Sequence, residues 1–466
     1  MAARVNHITV RPLSEALLEY IDAKQLWTPN EFAVEALRSL SIGVLPQMYT
    51  TIIRFLLEHL DKQPADATVK KRNMVQCIQE IMPKSIVQQM AEVLSCLIRQ
   101  ISSKDASIDP DLAETTIAAL AQIASKQADP VHRLDTIREI LLEMSTPGLT
   151  HESKIHLCTA VLGVLENVKK LPADKNFPPY LIEELCLASQ DSDPEVRRFL
   201  LLALLGLMDR TELLKRMNGN IRPAPAFPNS QEKHLIQIQS SILAQAQMAN
   251  NLPLHIQLLY EVQAKLLEEL PGVGSITTIL PNLFCLQEAQ RDSDQTSTSG
   301  MAQNLVLAVL AKLARERELL TLTEYIQEIY TAREQEGQLP SNLSIDVKGG
   351  LTARKGEDSK VKQTFFFDKQ RLIEIFSADE ELTSACEVGN LFDREVTNIA
   401  AVNDAELISA RLEERRKRKE SAIRVSSTIR LVPVLDLNEQ AAPQLDVDTF
   451  RSIFSKEAPE TAFLSF

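Results

Sequence analysis

Glycine is scarce in this sequence, at 13 of 466 residues, whereas leucine, alanine, glutamate, glutamine and isoleucine dominate long stretches. Those abundant residues favour helix over sheet. Hydrophobic residues make up 44% of the chain and charged residues 24%, which is typical of folded proteins and not of disordered ones. The composition therefore predicts a folded, all-α protein.

An excess of positive charge is also absent, because the formal net charge is −13. Sequence-independent binding to nucleic acid needs an excess of lysine and arginine to displace counterions. The sequence therefore argues against such binding, and we expect no nucleic-acid partner.

Closely spaced cysteines are lacking, and only seven histidines occur. The six cysteines lie far apart, mostly among leucine, isoleucine and valine: Cys77, Cys96, Cys158, Cys186, Cys285 and Cys386. No pair has the spacing of a metal site or a redox motif, so they are interpreted as buried, reduced thiols. No Cys-His or Ser-His-Asp arrangement is recognisable either. We therefore expect a protein without enzymatic activity, metal or cofactor.

Two short motifs resemble known signatures but lack an essential part. His151 and His156 are five residues apart, not the four that direct two helix histidines to one metal. The segment from Pro271 to Ser275 lacks the third glycine and the Lys-Ser/Thr ending of a phosphate-binding loop. We interpret the first as part of an ordinary helix and the second as a turn between helices.

Long apolar runs are missing as well. The longest, Phe199 to Met208, is far shorter than the roughly 20 residues of a membrane span. The first residues have no apolar core preceded by positive charge, so no signal peptide is predicted.

The chain does contain a succession of segments with apolar residues at three- and four-residue spacing, bounded by Pro, Asp, Ser or Gly. Each has about the length of one solenoid helix. The predicted helices include 30–45, 49–60, 86–101, 111–125, 131–144, 151–168, 180–189 and 194–208. The last is apolar on nearly all sides, so we expect neighbours to pack against both of its sides, as in a stacked array.

The start of the helix at 194–208 is typical of the second helix of a HEAT or armadillo repeat. Asp193 is the expected N-cap and Pro194 occupies the first helical position. Val196 is expected to point inward and Arg197 outward. These four residues are predicted to define the repeat.

Partial echoes of this pattern begin at Asp66 and Asp129, so that the pattern recurs after 63 and then 64 residues. One repeat of this type takes about 40 to 47 residues. The sequence therefore predicts a HEAT/armadillo-like helical solenoid over residues 1–336 with degenerate repeats, followed by a less regular C-terminal region.

Three segments make up that C-terminal region. Residues 337–403, with Gly349, Gly350 and a lysine-rich run, are predicted to form a variable exposed loop and an irregular region. Residues 404–430 are predicted to form a charged helix. Residues 431–466 are predicted to form a tail with a short amphipathic helix.

The charged helix carries the one concentrated basic cluster, Arg415, Arg416, Lys417, Arg418 and Lys419. Paired with neighbouring glutamates, it could be a solvated helix face. It could also bind an anionic lipid or an acidic partner, because each basic residue gains about 1 kcal/mol near an anionic membrane. A nuclear localisation signal is a third reading. Possible phosphorylation sites follow at Ser421, Ser426 and Ser427, where phosphate would reduce the local positive charge.

The tail places four apolar residues at three- and four-residue spacing: Val447, Phe450, Ile453 and Phe454. This short helix could fold back on the solenoid of its own chain. Alternatively, it could dock into a groove of a partner.

Two blocks of the sequence resemble a known family. The segment 24–34, which contains Trp27 and Pro29, and the following segment 55–61 are similar to a stretch of the Rolling blackout family. That family is also called stambha A and is related to the yeast Efr plasma-membrane protein. The segment from Glu195 to Arg222 resembles a second block, and weaker similarity extends to about residue 336.

Members of that family are HEAT/armadillo-like rods that hold a phosphatidylinositol 4-kinase complex at the plasma membrane, with tetratricopeptide-repeat and hyccin-type partners. The resemblance therefore implies a non-catalytic, peripheral scaffold at the cytoplasmic face of the plasma membrane. The N-terminal cysteine anchor of the family has no counterpart before Cys77, so a cytosolic location is expected if that anchor is absent. The alternative is a generic armadillo-type adaptor in nuclear transport or a cytoskeletal assembly.

Overall fold

The structure is a computed structural model, and it describes residues 7–27, 31–43, 49–82, 90–102, 108–127, 129–168, 179–211, 230–248, 250–270, 272–289, 299–346 and 350–392. Within these ranges the chain forms eighteen α-helices and one two-stranded sheet. They fall into two compact units, the first ending at Asn167 and the second beginning at Val168.

The described part of the first unit consists of eight helices. They are α1 (His7–Ala23), α2 (Glu31–Gly43), α3 (Tyr49–Asp61), α4 (Thr68–Ile81), α5 (Met90–Gln100), α6 (Pro110–Ser125), α7 (Pro130–Met144) and α8 (His151–Glu166). Each helix packs on the helix two positions later: α1 on α3, α3 on α5 and α5 on α7, and likewise α2 on α4, α4 on α6 and α6 on α8. The unit is therefore a stack of helix pairs in two layers, as in a solenoid.

The second-layer helix starts up to Pro194 recur at nearly constant intervals, which the matches found in the sequence did not reveal, whereas the next one follows only 59 residues later, at Pro253. The second-layer helices α4, α6 and α8 and the next helix of this type begin at Thr68, Pro110, His151 and Pro194, at intervals of 42, 41 and 43 residues. These intervals fall within the 40 to 47 residues of the repeat. The spacing of 63 and 64 was misleading because the echo at Asp129 starts a first-layer helix, α7, whereas the other two echoes precede second-layer helices.

The second unit has the same kind of arrangement. Its helices are α9 (Pro179–Ala188), α10 (Pro194–Thr211), α11 (Ser230–Ala246), α12 (Pro253–Glu269), α13 (Val273–Ala289), α14 (Ser299–Glu316) and α15 (Leu320–Gln335). The helices α9, α11 and α13 form one layer and α10, α12 and α14 the other, while α15 packs on α14.

A hairpin and three short helices close the end of this stack. Strand β1 (Leu343–Asp346) pairs antiparallel with β2 (Gly350–Ala353), and Leu343 lies opposite Ala353. The hairpin packs on α12 and α14. The helices α16 (Lys369–Ser377), α17 (Glu380–Ala385) and α18 (Val388–Phe392) follow, and α17 and α18 pack on α13.

The region after residue 336, predicted to be an exposed loop and an irregular region, is partly built into the second unit. Residues 354–357 are exposed and lie outside helix and strand, whereas the strands and short helices were not predicted. Leu351 is buried, and the Phe367 side chain is fully buried. Gln287 on α13 holds the backbone of Phe367 at both ends, since its amide nitrogen donates to the carbonyl at 2.8 Å and its amide oxygen accepts from the N–H at 2.8 Å. This segment belongs to the core of the second unit.

The helical solenoid itself is confirmed, with helix bounds close to those predicted. In α10 one stripe of apolar side chains is buried: Val196, Leu200, Ala203, Leu204 and Leu207. The expectation that α10 is covered on nearly all sides is wrong at Leu202, which is 39% exposed. A two-stranded sheet was not expected.

Candidate functional site

The residues predicted to bind partners fall outside the described residues. These are the basic cluster at 415–419, the serines at 421, 426 and 427, and the apolar tail residues at 447, 450, 453 and 454. Pro29 also lies outside them. Their roles stay predictions, whereas Trp27, Asp193, Pro194, Val196 and Arg197 have defined surroundings.

Asp22, near the end of α1, contacts both Trp27 and His59. These two residues belong to the two neighbouring segments, 24–34 and 55–61, that resemble the family. The Trp27 side chain is 3% exposed, and its Nε1 donates to Asp22 Oδ1 at 2.6 Å. Lys70 Nζ on α4 lies 2.6 Å from the same oxygen, and His59 Nε2 on α3 lies 2.9 Å from Oδ2. Asn73 on α4 donates to the Trp27 carbonyl. Asp22 thus ties the turn after α1 to α3 and α4.

The electrostatics of this cluster favour a neutral imidazole at His59. Burial lowers the pKa of His59, and the nearby ammonium groups of Lys70 and Lys62 lower it further, while Asp22 acts in the opposite direction. Since Lys70 already neutralises Asp22, the cluster is balanced without a proton on His59.

Asp61, the last residue of α3, connects this helix to α5. Its carboxylate accepts from Arg99 Nη2 at 2.6 Å, and Cys96 Sγ lies 3.4 Å from Oδ1. Both partners are on α5. The two acidic residues therefore connect α3 to its neighbours on either side.

The helix entry at 193–197 is built as predicted except at Arg197. Asp193 Oδ1 accepts from the N–H of Glu195 at 2.8 Å, as an N-cap does, and Val196 is fully buried. Arg197 was expected to point outward, but its side chain is also fully buried. Hydrogen-bond acceptors in two turns hold the guanidinium group inside the protein.

Those acceptors are neutral groups of two adjacent turns. Arg197 Nη1 donates to the carbonyls of Asp191 at 2.9 Å and Ser192 at 3.0 Å. Its Nη2 donates to the Oδ1 atoms of Asn250 at 2.8 Å and Asn251 at 3.1 Å, in the turn before α12. The guanidinium group thereby holds the turn between α9 and α10 against the turn between α11 and α12.

Arg133 on α7 makes the same kind of contact. In the Asp-Pro-x-x-Arg pattern it has the position of Arg197, and it donates twice to the carbonyl of Gln127, six residues before it, at 3.0 and 2.6 Å. It also reaches the carbonyl of Asn167 at 3.1 Å. The pattern at Asp129 is visible in the sequence, whereas the role of Arg133 is visible only in the structure.

Arg333 on α15 is a third buried guanidinium group, and sequence reasoning missed it. The side chain is fully buried and donates to the Phe365 carbonyl at 3.2 and 2.8 Å and to the Gln303 carbonyl at 3.3 Å. Burial lowers the pKa of Arg333 to about 10. No local pattern marks this residue.

The described residues contain no group of three or more His, Cys, Asp or Glu side chains that could hold a metal ion. Burial raises the pKa values of the Cys77, Cys96 and Cys186 thiols to about 12, so these thiols are poor nucleophiles. The segment from Pro271 to Ser275 leads into α13, and the Ser275 hydroxyl donates to the Gly272 carbonyl at 2.9 Å. The buried polar contacts of Asp22, Asp61, Arg133, Arg197 and Arg333 described above are suited to holding helices in register.

No described helix is both long and apolar enough to span a bilayer.

Comparison of the sequence with known proteins identifies a family that has this architecture. The sequence matches the family described as EFR3, armadillo repeat, over residues 1–377. It is similar to the EFR3 homolog cmp44E of Drosophila melanogaster, at 21% identity over 383 residues that cover 76% of this chain and 45% of that protein. It is also similar to EFR3 homolog B of Mus musculus, at 19% identity over 388 residues that cover 71% of this chain and 47% of that protein.

The chain thus spans about half the length of these relatives. No solved structure matches it significantly. Because the family match extends over most of the chain and coincides with the stacked helix pairs, this protein is a member of the EFR3 armadillo-repeat family, with the architecture of an armadillo-type scaffold.

Proposed function

We propose that this chain is a non-catalytic scaffold that helps to localise a phosphatidylinositol 4-kinase complex at the cytoplasmic face of the plasma membrane, and so supports phosphoinositide synthesis. The family match over residues 1–377 is the observation that carries the proposal. The stacked helix pairs support it, since such arrays offer extended surfaces to protein partners.

The partner-binding element is assigned to the residues after 403. The apolar tail residues Val447, Phe450, Ile453 and Phe454 would dock into a tetratricopeptide-repeat or hyccin-type subunit. The basic cluster from Arg415 to Lys419 would contact anionic lipid or an acidic surface of the complex.

Co-purification tests this assignment. The full chain is expected to retain the tetratricopeptide-repeat subunit, whereas a chain truncated after Asn403 loses it. A matched variant with Val447, Phe450, Ile453 and Phe454 all changed to Ser keeps the chain length and the charged helix, and it should lose the subunit as well. Retention of the subunit by the truncated chain would reject the role of the tail.

Imaging of the tagged chain in cells tests the location. A signal at the cell cortex supports the membrane scaffold, and nuclear accumulation supports the alternative adaptor of nuclear transport. Changing Arg415, Arg416, Lys417, Arg418 and Lys419 to Gln should weaken binding to vesicles that contain anionic lipid, with no effect on neutral vesicles. Changing Ser421, Ser426 and Ser427 to Glu should act in the same direction.

A further inference from the structure

Two stretches of the second unit, residues 338–346 and 350–362, form a ribbon that consists of the hairpin and the segments on either side of it. Hydrogen bonds close the base of the ribbon, beyond the paired strands. The Ser359 hydroxyl donates to the Gln338 carbonyl at 3.0 Å, and the N–H of Lys362 donates to Gln338 Oε1 at 2.8 Å. The two flanking segments are therefore held together, as the strands are.

The base of the ribbon lies directly on the first turn of α14. The N–H of Met301 in that turn donates to the carboxylate of Asp358. Gly300 has no room for a side chain, because a Cβ atom there would collide with the Ser359 carbonyl oxygen and lie 2.7 Å from Asp358 Oδ1. Asp358 therefore caps α14 from the ribbon, in the way that an N-cap residue caps its own helix.

The carboxylate of Asp358 has hydrogen-bond donors on one side only. Its Oδ1 also accepts from the N–H of Ser359 at 2.9 Å, whereas Oδ2 is buried and has no hydrogen-bond partner among the described residues. The buried guanidinium group of Arg333 on α15 donates to the carbonyls of Phe365 and Gln303 and so is engaged away from this carboxylate. A buried charge without a counter-charge is costly.

The other charged groups around the base of the ribbon are paired elsewhere or exposed. The helix α14 has no titratable residue before Lys312, which pairs with two glutamates at 2.5 and 3.1 Å. In the ribbon, Lys362 pairs with Glu336 at 3.2 Å. Glu357 and Lys360 are exposed to water. In the part of the chain that the structure describes, Asp358 is therefore balanced by N–H groups alone.

This setting changes the protonation of Asp358. Burial raises the pKa of Asp358 to about 6 from the ordinary 3.8, and the N–H groups of Ser359 and Met301 oppose only part of that rise. A pKa that is higher in the folded chain than in the unfolded chain means that protonation favours the folded arrangement. This contribution to stability is complete below pH 3.8 and is lost as the pH rises through 6.

We propose that Asp358 is a proton-sensitive latch, which holds the base of the ribbon on α14 most tightly when its carboxyl group is protonated. Ionisation leaves a buried negative charge without a counter-charge, and release of the ribbon lets water solvate that charge. The hairpin packs on α12 and α14, so a loosened ribbon would uncover surface of these two helices. Mild acidification would close that surface again.

Amide hydrogen exchange of the full chain tests the latch, with mass spectrometry of peptides that cover β1 and β2. After correction for the intrinsic pH dependence of exchange, the protection of the hairpin should fall about tenfold from pH 5.0 to pH 7.5. In Asp358→Asn, which cannot ionise but keeps an acceptor for the N–H of Met301, protection should stay constant over this range and exceed that of wild type at pH 7.5. Parallel profiles of the two proteins would overturn the proposal.

Two further measurements separate the latch from a general effect of charge or of structure. Glu357→Gln makes the same change of charge at the exposed neighbouring residue, and it should keep the wild-type profile. A flat profile in that variant would reject Asp358 as the titrating group. If Asp358→Asn does not fold, the wild-type chain still decides, because a hairpin whose protection is the same at pH 5.0 and pH 7.5 has no such latch.

Discussion

At the scale of single residues, a few buried polar side chains connect helices that are distant in sequence. Asp22 takes contacts from Trp27, His59 and Lys70, which belong to three different segments. Arg197 donates hydrogen bonds to four acceptors in two turns. Removing one such residue leaves several buried groups unpaired at once, so the cost exceeds that of an average substitution.

Replacing Asp22 with Asn should lower the free energy of unfolding by about 1–2 kcal/mol, because the half-buried ammonium of Lys70 then lacks its counter-charge. Urea denaturation measures the change. Asp66→Asn is the matched control, since Asp66 is exposed and its substitution should stay within about 0.5 kcal/mol. A similar loss in both variants would contradict the role assigned to Asp22.

His255 should make the second unit sensitive to acid. Burial and the nearby Arg197 guanidinium lower the pKa of His255 to about 3, below the ordinary value near 6.5. Between those two values the unfolded chain binds a proton that the folded chain does not, so stability is full above pH 6.5 and falls as the pH drops toward 3.

The expected contribution of His255 is at most about 1.4 kcal/mol per pH unit. Unfolding free energies of wild type and His255→Gln, measured between pH 7 and pH 4, should show a flatter profile in the variant. Gln keeps a donor for Gln245 but cannot take up the proton. Parallel profiles would show that His255 does not titrate in this range.

The sequence pointed to some of these residues and not to others. Trp27 and Arg197 stand in recognisable patterns, although the buried position of Arg197 was not foreseen. Two of its four acceptors lie in a turn more than 50 residues later, and no local pattern records that contact. Arg333 stands in an ordinary amphipathic helix and binds carbonyl groups, which every residue carries, so its role is visible only in three dimensions.

At the scale of elements, the hairpin and the helices α16 to α18 act as a cap on the last helix pair. Phe367 and Phe376 are at most 1% exposed, and Arg317 at the end of α14 pairs with Asp379 at 2.8 Å and Glu381 at 2.7 Å. An open end of a solenoid exposes apolar surface, so terminal elements with a polar outer side are required.

A chain truncated after Glu336, the end of the solenoid predicted from the sequence, should therefore be poorly soluble and melt at a lower temperature than the full chain. A chain truncated after Phe392 keeps the cap, so it should melt at a higher temperature than the chain truncated after Glu336. Losing two buried phenylalanines alone removes about 3–6 kcal/mol of burial energy. Circular dichroism and size-exclusion chromatography measure both properties, and equal behaviour of the two truncations would show that the cap is dispensable.

The helices could be predicted because their apolar spacing persists over ten or more residues. The cap could not, because its strands have four residues each and α17 and α18 have six and five. A weak signal for the hairpin exists in retrospect. Leu343 and Ile345 precede a glycine pair, and Leu351 follows it, as expected for two short strands with one buried face.

At the scale of the whole molecule, the net charge of −13 bears on the choice of partner. We predict that the chain does not bind random duplex DNA at physiological salt, because it lacks the excess of cations that displaces counterions. Electrophoretic mobility shift measures this, and a chain without residues 404–430 shows whether the basic cluster alone contributes. Binding that persists at physiological salt would contradict the assignment of lipid or protein partners.

The nearly constant repeat length of the first unit has a practical consequence for placing reporters in this protein. First-layer helices of the first unit begin 40 to 42 residues apart, so an insertion within a helix pair would shift the pair against both neighbours. From α7 to α9 the interval is 49 residues and from α10 to α12 it is 59. A position between α10 and α11 lies outside the described helices, so a fluorescent protein inserted there should report the location of the chain without interrupting a described repeat.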